Sequence, residues 1–119
     1  MRLGYGTYVP SEAGVPARFR REVGLVEEAG FEGLYLSEHH GREGFAADPL
    51  GASLFVLGMT STLRAGPMPL LLPLHDPVRV AERAALADHL SGGRLVLGVG
   101  AGYRVDEFAQ VGYGLAERG

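Results

Sequence analysis

The sequence predicts an α/β fold in which strands and helices alternate around a parallel sheet. Candidate strands begin near residues 2, 33, 63 and 94, so one strand and one helix recur about every 30 residues. The candidates at residues 63–72 and 94–99 are apolar almost throughout, which is typical of parallel strands covered on both faces. This alternation leaves two architectures open, the (β/α)₈ barrel and the open doubly wound sheet.

Capping residues mark where the predicted helices start and end. Asp48-Pro49 and Asp76-Pro77 each place an N-cap carboxylate before a proline, whose missing N–H is not needed in the first turn. Glycine ends helices readily because it adopts the left-handed conformation without steric cost. In chain order, the predicted elements are strand 2–9, helix 16–29 closed by Gly30, strand 33–37, helix 49–60, strand 63–72, helix 77–91 closed by Gly92 and Gly93, strand 94–99 and a short helix after Tyr103.

Apolar spacing predicts which faces of the helices are buried. The second helix is apolar on nearly all sides, so we expect it to be well buried. The first and third helices carry apolar residues at helical spacing, which predicts a single buried face on each. These predicted faces are Phe19, Val23 and Val26 in the first helix and Val80, Ala84 and Leu90 in the third.

Composition limits the classes of function. The chain has 119 residues, of which 46% are hydrophobic, and it is predicted to form a single domain over residues 1–119. A net charge of −3 gives no basis for binding nucleic acid, and the absence of cysteine excludes thiolate catalysis and cysteine metal sites. No apolar run approaches the roughly 20 residues of a membrane span, and no secretory signal is evident. We therefore expect a cytoplasmic protein with no membrane contact.

Candidate functional residues lie where the strands end, because chemistry in both architectures sits at the carboxyl ends of the strands. Glu38-His39-His40 follows the second strand. Adjacent strand residues point to opposite sides, so one histidine could act as acid or base while the other fixes the loop. A solvated pair of histidines is the alternative. No metal site is predicted, because the available residues lack a metal-binding spacing: His75, Asp76, Asp48 and His89.

Two further strand ends have unusual residues. Pro69 lies where the third strand should leave the sheet, and we expect either a cis Met68–Pro69 bond or an ordinary trans strand terminator. Residues 98–103, GVGAGY, resemble the start of a dinucleotide-binding fingerprint, but Tyr103 stands where that motif needs Gly or Ala. The glycines indicate that the backbone approaches something closely, either a flat ligand or a tight turn.

Taken together, the motifs resemble the bacterial luciferase-like monooxygenases, which are flavin- or deazaflavin-dependent enzymes on a (β/α)₈ barrel. The resemblance spans nearly the whole chain and rests on the ordered occurrence of many short motifs. Full members are more than twice as long, so this chain would supply about four βα units, the N-terminal half of the barrel. The motifs are Gly30-Phe31, Ser37-Glu38-His39-His40, Asp48-Pro49-Leu50, Leu72-Pro73, Asp76-Pro77-Val78-Arg79, Leu90-Ser91-Gly92-Gly93-Arg94-Leu95, Gly98-Val99-Gly100, Glu107-Phe108 and Val111-Gly112.

The resemblance implies roles for particular residues. His39 would be the active-site histidine, and His40 its less directly involved neighbour. Met68 and Pro69 would form the cis peptide against which the flavin ring packs. Gly100, Ala101 and Gly102 would line the flavin. Where luciferase carries an arginine that contacts the phosphate, this chain has Ala101, which weakens phosphate binding from that position.

The sequence thus predicts an oxidoreductase that acts on a small organic substrate. It would use reduced FMN with O₂ or exchange hydride with the deazaflavin F420, and the protein would supply the binding surface and His39. A half-barrel exposes two sheet edges, so we expect a homodimer or a missing C-terminal half. The alternatives are a catalytically incompetent half-barrel that serves as an assembly partner, and a dinucleotide-binding α/β module.

Overall fold

The computed structural model describes residues 3–7, 9, 15–41 and 48–118, in which parallel strands alternate with helices. The predicted order of elements is confirmed, including the short helix after Tyr103. The strands are β1 (Gly4–Thr7), β2 (Gly33–Leu36), β3 (Arg64–Pro67), β4 (Leu70–Leu71) and β5 (Val99–Gly100); the helices are α1 (Val15–Glu28), α2 (Pro49–Met59), α3 (Pro77–Ser91) and α4 (Val105–Gln110); and 3₁₀ turns occupy Leu72–Leu74 and Leu115–Glu117.

The strands follow one another in space as they do along the chain. β1, β2 and β3 form a parallel sheet in that order, and β4 pairs in parallel with β5. A parallel bridge between Ala65 and Leu95 joins the segment before β5 to β3. The backbones approach so closely here that a Cβ on Gly66 would lie 1.5 Å from the Val96 carbonyl oxygen, which explains the glycine.

The prediction of two continuous strands over residues 63–72 and 94–99 is wrong. The first is divided into β3 and β4 by Met68 and Pro69, and the second is reduced to the bridge at Leu95 and to β5. Pro67 and Pro69 carry no N–H group, so neither can donate to a strand ladder, and regular pairing stops there.

The predicted capping residues are confirmed, while two predictions of helix burial need correction. Asp48 accepts a hydrogen bond from the Gly51 N–H, and Asp76 accepts one from the Arg79 N–H, each at 2.9 Å. Leu90 is 72% exposed, since it lies ten residues after Val80 and has rotated away from the buried face; the observed face is Val80, Ala84 and Ala87.

The second helix is only partly buried. Phe55 and Met59 of α2 are 38% and 37% exposed, because they lie on the side that faces away from the sheet. Phe55 nonetheless stacks on Phe19 of α1, and the Arg20 guanidinium lies 4.9 Å from the Phe55 ring centre.

The predicted face of α1, Phe19, Val23 and Val26, is buried as expected. Tyr8, which belongs to the predicted strand 2–9, and residues 42–47, which lie between the predicted strand 33–37 and helix 49–60, are outside the described residues.

Candidate functional site at the carboxyl ends of the strands

The predicted site residues converge on the carboxyl-end edge of the sheet. Beyond β2, Ser37 Oγ donates to the Met68 carbonyl at 3.1 Å, and the Glu38 N–H donates to the Pro69 carbonyl at 3.3 Å. A Cβ on Gly100 would lie 3.1 Å from the Pro69 ring, so the glycine segment packs directly against this turn. The ends of three successive strands therefore meet at one edge.

The Met68–Pro69 peptide bond is cis, which confirms the first of the two expectations for this turn. Met68 is 45% exposed there. Gly102 follows β5 with φ +70°, and a Cβ at that position would lie 2.8 Å from the Phe108 ring. The turn therefore requires glycine at residue 102, both for its backbone conformation and for its contact with α4. Ala101, between these glycines, is exposed.

His39 is held by a carboxylate that the sequence analysis did not single out. Glu107 of α4 is 1% exposed, and its Oε1 lies 2.8 Å from Nδ1 of His39, whose side chain is 22% exposed. The same oxygen accepts the His40 backbone N–H at 3.3 Å. Glu107 entered the sequence analysis only as part of the Glu107-Phe108 motif, since a contact between residues 68 positions apart leaves no local signal.

Arg104 adds positive charge beside this pair. Its Nε lies 3.8 Å from Glu107 Oε1 and is buried without a hydrogen-bond partner, while its NH2 group donates to Asp106 Oδ2 at 2.6 Å. The hydrogen bond from Arg104 lowers the pKa of Asp106 below its ordinary value, and the same bond raises the pKa of Arg104. Arg104 therefore stays charged next to the buried carboxylate.

His40 turns away from His39 to a second buried carboxylate. Its Nε2 lies 2.7 Å from Oε1 of Glu38, and Nε2 of His75 lies 2.7 Å from the same oxygen. Glu38 is 1% exposed, and its Oε2 accepts the Leu71 N–H. The expectation that the two histidines act separately agrees with this arrangement, because each contacts a different glutamate.

An open groove of about 440 Å³ lies away from this edge, along α1 and the neighbouring β1. Its lining contains none of the predicted site residues. The residues that line it are Tyr5, Arg18, Arg21, Glu22, Leu25, Val26 and Phe31.

Comparison with known proteins identifies the family. The model of the luciferase-like monooxygenases matches residues 3–119. The chain belongs to the luciferase-like monooxygenase family. Among its relatives, the alkanal monooxygenase alpha chain of Photorhabdus laumondii is 34% identical over 110 residues, which are 89% of this chain and 31% of that protein. The matched residues cover between 21% and 32% of the length of these curated relatives.

Solved structures of this family show the same fold. The oxygenating constituent of 3,6-diketocamphane monooxygenase from Pseudomonas putida, in complex with FMN, has a TM-score of 0.86 at 19% identity over 99% of this chain and 36% of its own. The F420-dependent tetrahydromethanopterin reductase of Methanopyrus kandleri has a TM-score of 0.73 at 22% identity over 93% of this chain and 30% of its own. The fold is part of a (β/α)₈ barrel, as the resemblance implied. None of the described helices is long and apolar enough to cross a membrane.

Proposed function

We propose that this chain supplies the carboxyl-end wall of a flavin or F420 site in an oxidoreductase that acts on a small organic substrate. The observation that carries the proposal is the contact of the buried Glu107 with His39, 2.8 Å apart, at the edge where the Met68–Pro69 turn and the glycine segment also meet. Family membership supports the general class of chemistry, and the relatives include proteins that use FMN and F420.

His39 would move a proton through its Nε2 atom. A carboxylate accepts hydrogen bonds, so the contact with Glu107 favours the tautomer of His39 with its proton on Nδ1. In that tautomer Nε2 is the basic nitrogen. Glu107 therefore acts as a positioning residue, because it sets both the orientation of the ring and the nitrogen that exchanges the proton.

The residues at this edge fit a planar cofactor. Met68 is nearly half exposed beside the cis bond, and Gly100, Ala101 and Gly102 present almost no side chain, so a flat ring can approach the backbone. When bound, reduced FMN would supply O₂ activation, or F420 would supply hydride transfer. Ala101 carries no charge, so we infer that groups other than its side chain supply the positive charge that binds the cofactor phosphate.

Titration of the purified chain with FMN and F420, each followed by fluorescence in chelator-containing buffer, tests this proposal. We expect one of them to bind. Ala101→Glu should weaken that binding about tenfold, or about 1.4 kcal/mol, because the new carboxylate repels the phosphate-bearing cofactor. Ala85→Glu adds the same charge at an exposed alanine of α3 and is the matched control. Failure of both cofactors to bind, or equal weakening by both substitutions, would contradict the proposal.

A second role, as an assembly partner, is favoured by the edge of the sheet at β1. Within the described residues β1 pairs only with β2, and the apolar groove beside it includes Leu25, which is 53% exposed. We propose that further βα units cover this edge, from a second copy or from a C-terminal half. Sedimentation of the purified chain should show a dimer if a second copy covers the edge. A stable monomer with the groove in solvent would contradict pairing between copies.

A further inference from the structure

Glu38, His40 and His75 bring three potential metal-ligand atoms to one point beside the proposed flavin wall. The donor atoms are Glu38 Oε1 and the Nε2 atoms of the two histidines, and all three lie within 4.8 Å of one another. Glu38 is 1% exposed, while the histidine side chains are 20% and 21% exposed. The carboxylate is therefore buried beneath two imidazoles that solvent can reach.

We propose that this cluster binds a divalent transition-metal ion, with Zn²⁺ as the best match to its donors. Two imidazole nitrogens and one carboxylate oxygen form a ligand set suited to Zn²⁺ and its neighbours in the series, whereas Mg²⁺ and Ca²⁺ prefer oxygen ligands alone. Three protein ligands leave a fourth tetrahedral position for water. The partial exposure of both histidines gives the ion and that water a path to the site.

The surrounding hydrogen bonds hold the ligands in place. The Leu71 N–H donates to Oε2 of Glu38, which leaves Oε1 directed at the histidines. The His75 N–H donates to the Leu72 carbonyl at 3.1 Å, and the His40 N–H donates to Glu107. The bond to Glu38 is of the kind that orients ligating carboxylates in metal sites, and the two backbone bonds fix the main chain at each histidine.

The two nitrogen–oxygen distances require only a small adjustment to fit a bound ion. Ligands about 2.1 Å from a tetrahedral Zn²⁺ lie about 3.4 Å from one another. The two nitrogen–oxygen distances are now 2.7 Å, and because an ionised carboxylate only accepts hydrogen bonds, they suit tautomers in which each Nε2 carries the proton. On metal binding each imidazole would carry its proton on Nδ1 instead, and the nitrogen–oxygen separations would widen by under about 1 Å.

The bound ion would connect two segments that are distant in sequence. Glu38 and His40 follow β2, whereas His75 follows the 3₁₀ turn Leu72–Leu74 and precedes α3. A metal bound by all three would fix the end of β2 to the start of α3, directly beside His39. The sequence analysis predicted no metal site because it considered spacing along the chain, and here the spacing between Glu38 and His75 is 37 residues.

Co²⁺ and Zn²⁺ titrations of the whole chain, after removal of metal with a chelator, test the proposal. We expect one ion per chain, a visible Co²⁺ absorption band typical of tetrahedral coordination, and a rise in the unfolding temperature with Zn²⁺. His75→Gln and Glu38→Gln each remove a proposed ligand and should weaken Zn²⁺ binding at least about tenfold. Even the loss of a group that only orients a ligand typically costs that much affinity. His89→Gln removes an exposed histidine of α3 and should leave binding unchanged.

Two outcomes would overturn the proposal. One is the absence of stoichiometric Co²⁺ or Zn²⁺ binding by the wild-type chain, which would leave the cluster as a hydrogen-bond network only. The other is Zn²⁺ binding that His75→Gln and Glu38→Gln both retain at the wild-type affinity, which would mark adventitious binding elsewhere, at the surface histidine His89 if His89→Gln loses it. Neither result depends on the flavin titration, and circular dichroism of each variant shows whether it is folded. Absence of binding by the wild-type chain overturns the proposal even where a variant does not fold.

Discussion

The two ends of the same sheet use charged side chains in different ways. At the amino end, Glu27 Oε1 accepts hydrogen bonds from the Ser61 and Thr62 N–H groups at 2.8 and 2.7 Å, and Arg94 donates to backbone carbonyls. At the carboxyl end, Glu38 and Glu107 contact histidine side chains. The amino-end charges satisfy backbone groups, whereas the carboxyl-end charges orient groups that can exchange protons or bind a ligand.

The difference shows that a charged group held by several hydrogen bonds does not by itself indicate function. The Arg94 side chain donates four hydrogen bonds, yet three of its acceptors are the carbonyls of Leu57, Leu63 and Ser91, near the ends of α2 and α3 and the start of β3, and the fourth is Thr60 Oγ1. The chemical nature of the partner distinguishes the two ends. Substitutions at the amino end should therefore change stability alone, and those at the carboxyl end should also change the protonation or binding of another side chain.

Loss of Arg94 is expected to have the largest effect on stability. Arg94→Ala removes three hydrogen bonds to carbonyls and one to Thr60 Oγ1, and it should lower the free energy of unfolding by about 3 kcal/mol. Urea unfolding measures this loss. Arg79→Ala is the control, since Arg79 forms an exposed pair with Glu82 and should cost under about 0.5 kcal/mol. An equal loss in the free energy of unfolding for both variants would contradict the structural role assigned to Arg94.

Glu107→Gln should affect both stability and protonation. The amide keeps the shape of the side chain, so we expect a loss of only about 1 kcal/mol in urea unfolding. Without the carboxylate, His39 should shift from the tautomer protonated on Nδ1 toward a mixture of both tautomers, which ¹⁵N NMR of the imidazole detects. A His39 tautomer that is the same in the wild type and in Glu107→Gln would show that Glu107 does not position it.

Glu27→Gln is expected to have the smallest effect, and one that depends on pH. Hydrogen bonds from Thr62 above all hold the pKa of Glu27 below its ordinary value of 4.5 in the folded chain. The ionised carboxylate therefore favours folding, fully so above pH 4.5, and this contribution is lost as the pH falls through the lower folded-state pKa. On acidification, the free energy of unfolding should fall by up to about 1 kcal/mol more in the wild type than in Glu27→Gln, as thermal unfolding would measure. An identical pH dependence in both proteins would contradict the assigned role.

Local signals in the sequence accounted for much of the fold. Asp48 and Asp76 marked helix starts through capping chemistry that involves only neighbouring residues, and Pro69 marked the cis turn in the same way. The prediction of continuous third and fourth strands was wrong because it relied on apolar composition and neglected the N–H groups that the prolines lack. The predicted burial of Leu90 was wrong because a step of ten residues does not return to the same face of an α-helix.

The sequence alone identified only some residues of the candidate site. His39 and residues 100–102 could be singled out because each follows a predicted strand, and Met68 because it precedes Pro69, where the third strand should leave the sheet; their roles came from the family resemblance. Their partners could not: Glu107 meets His39 across 68 residues, and His75 meets Glu38 across 37 residues. Contacts of this range are set by the packing of successive βα units, which no pattern along a single chain records. The family resemblance supplied roles for His39 and the glycines but none for Glu38, Glu107 or His75.

Amide NMR of the chain during FMN and F420 titrations tests most directly whether the carboxyl-end edge is the cofactor wall. We expect one cofactor to shift the amide signals of His39, Met68, Ala101 and Gly102, while those of Ser61 and Thr62 at the amino end stay unchanged. Shifts confined to the amino end or to the groove along α1, or no shifts with either cofactor, would contradict it.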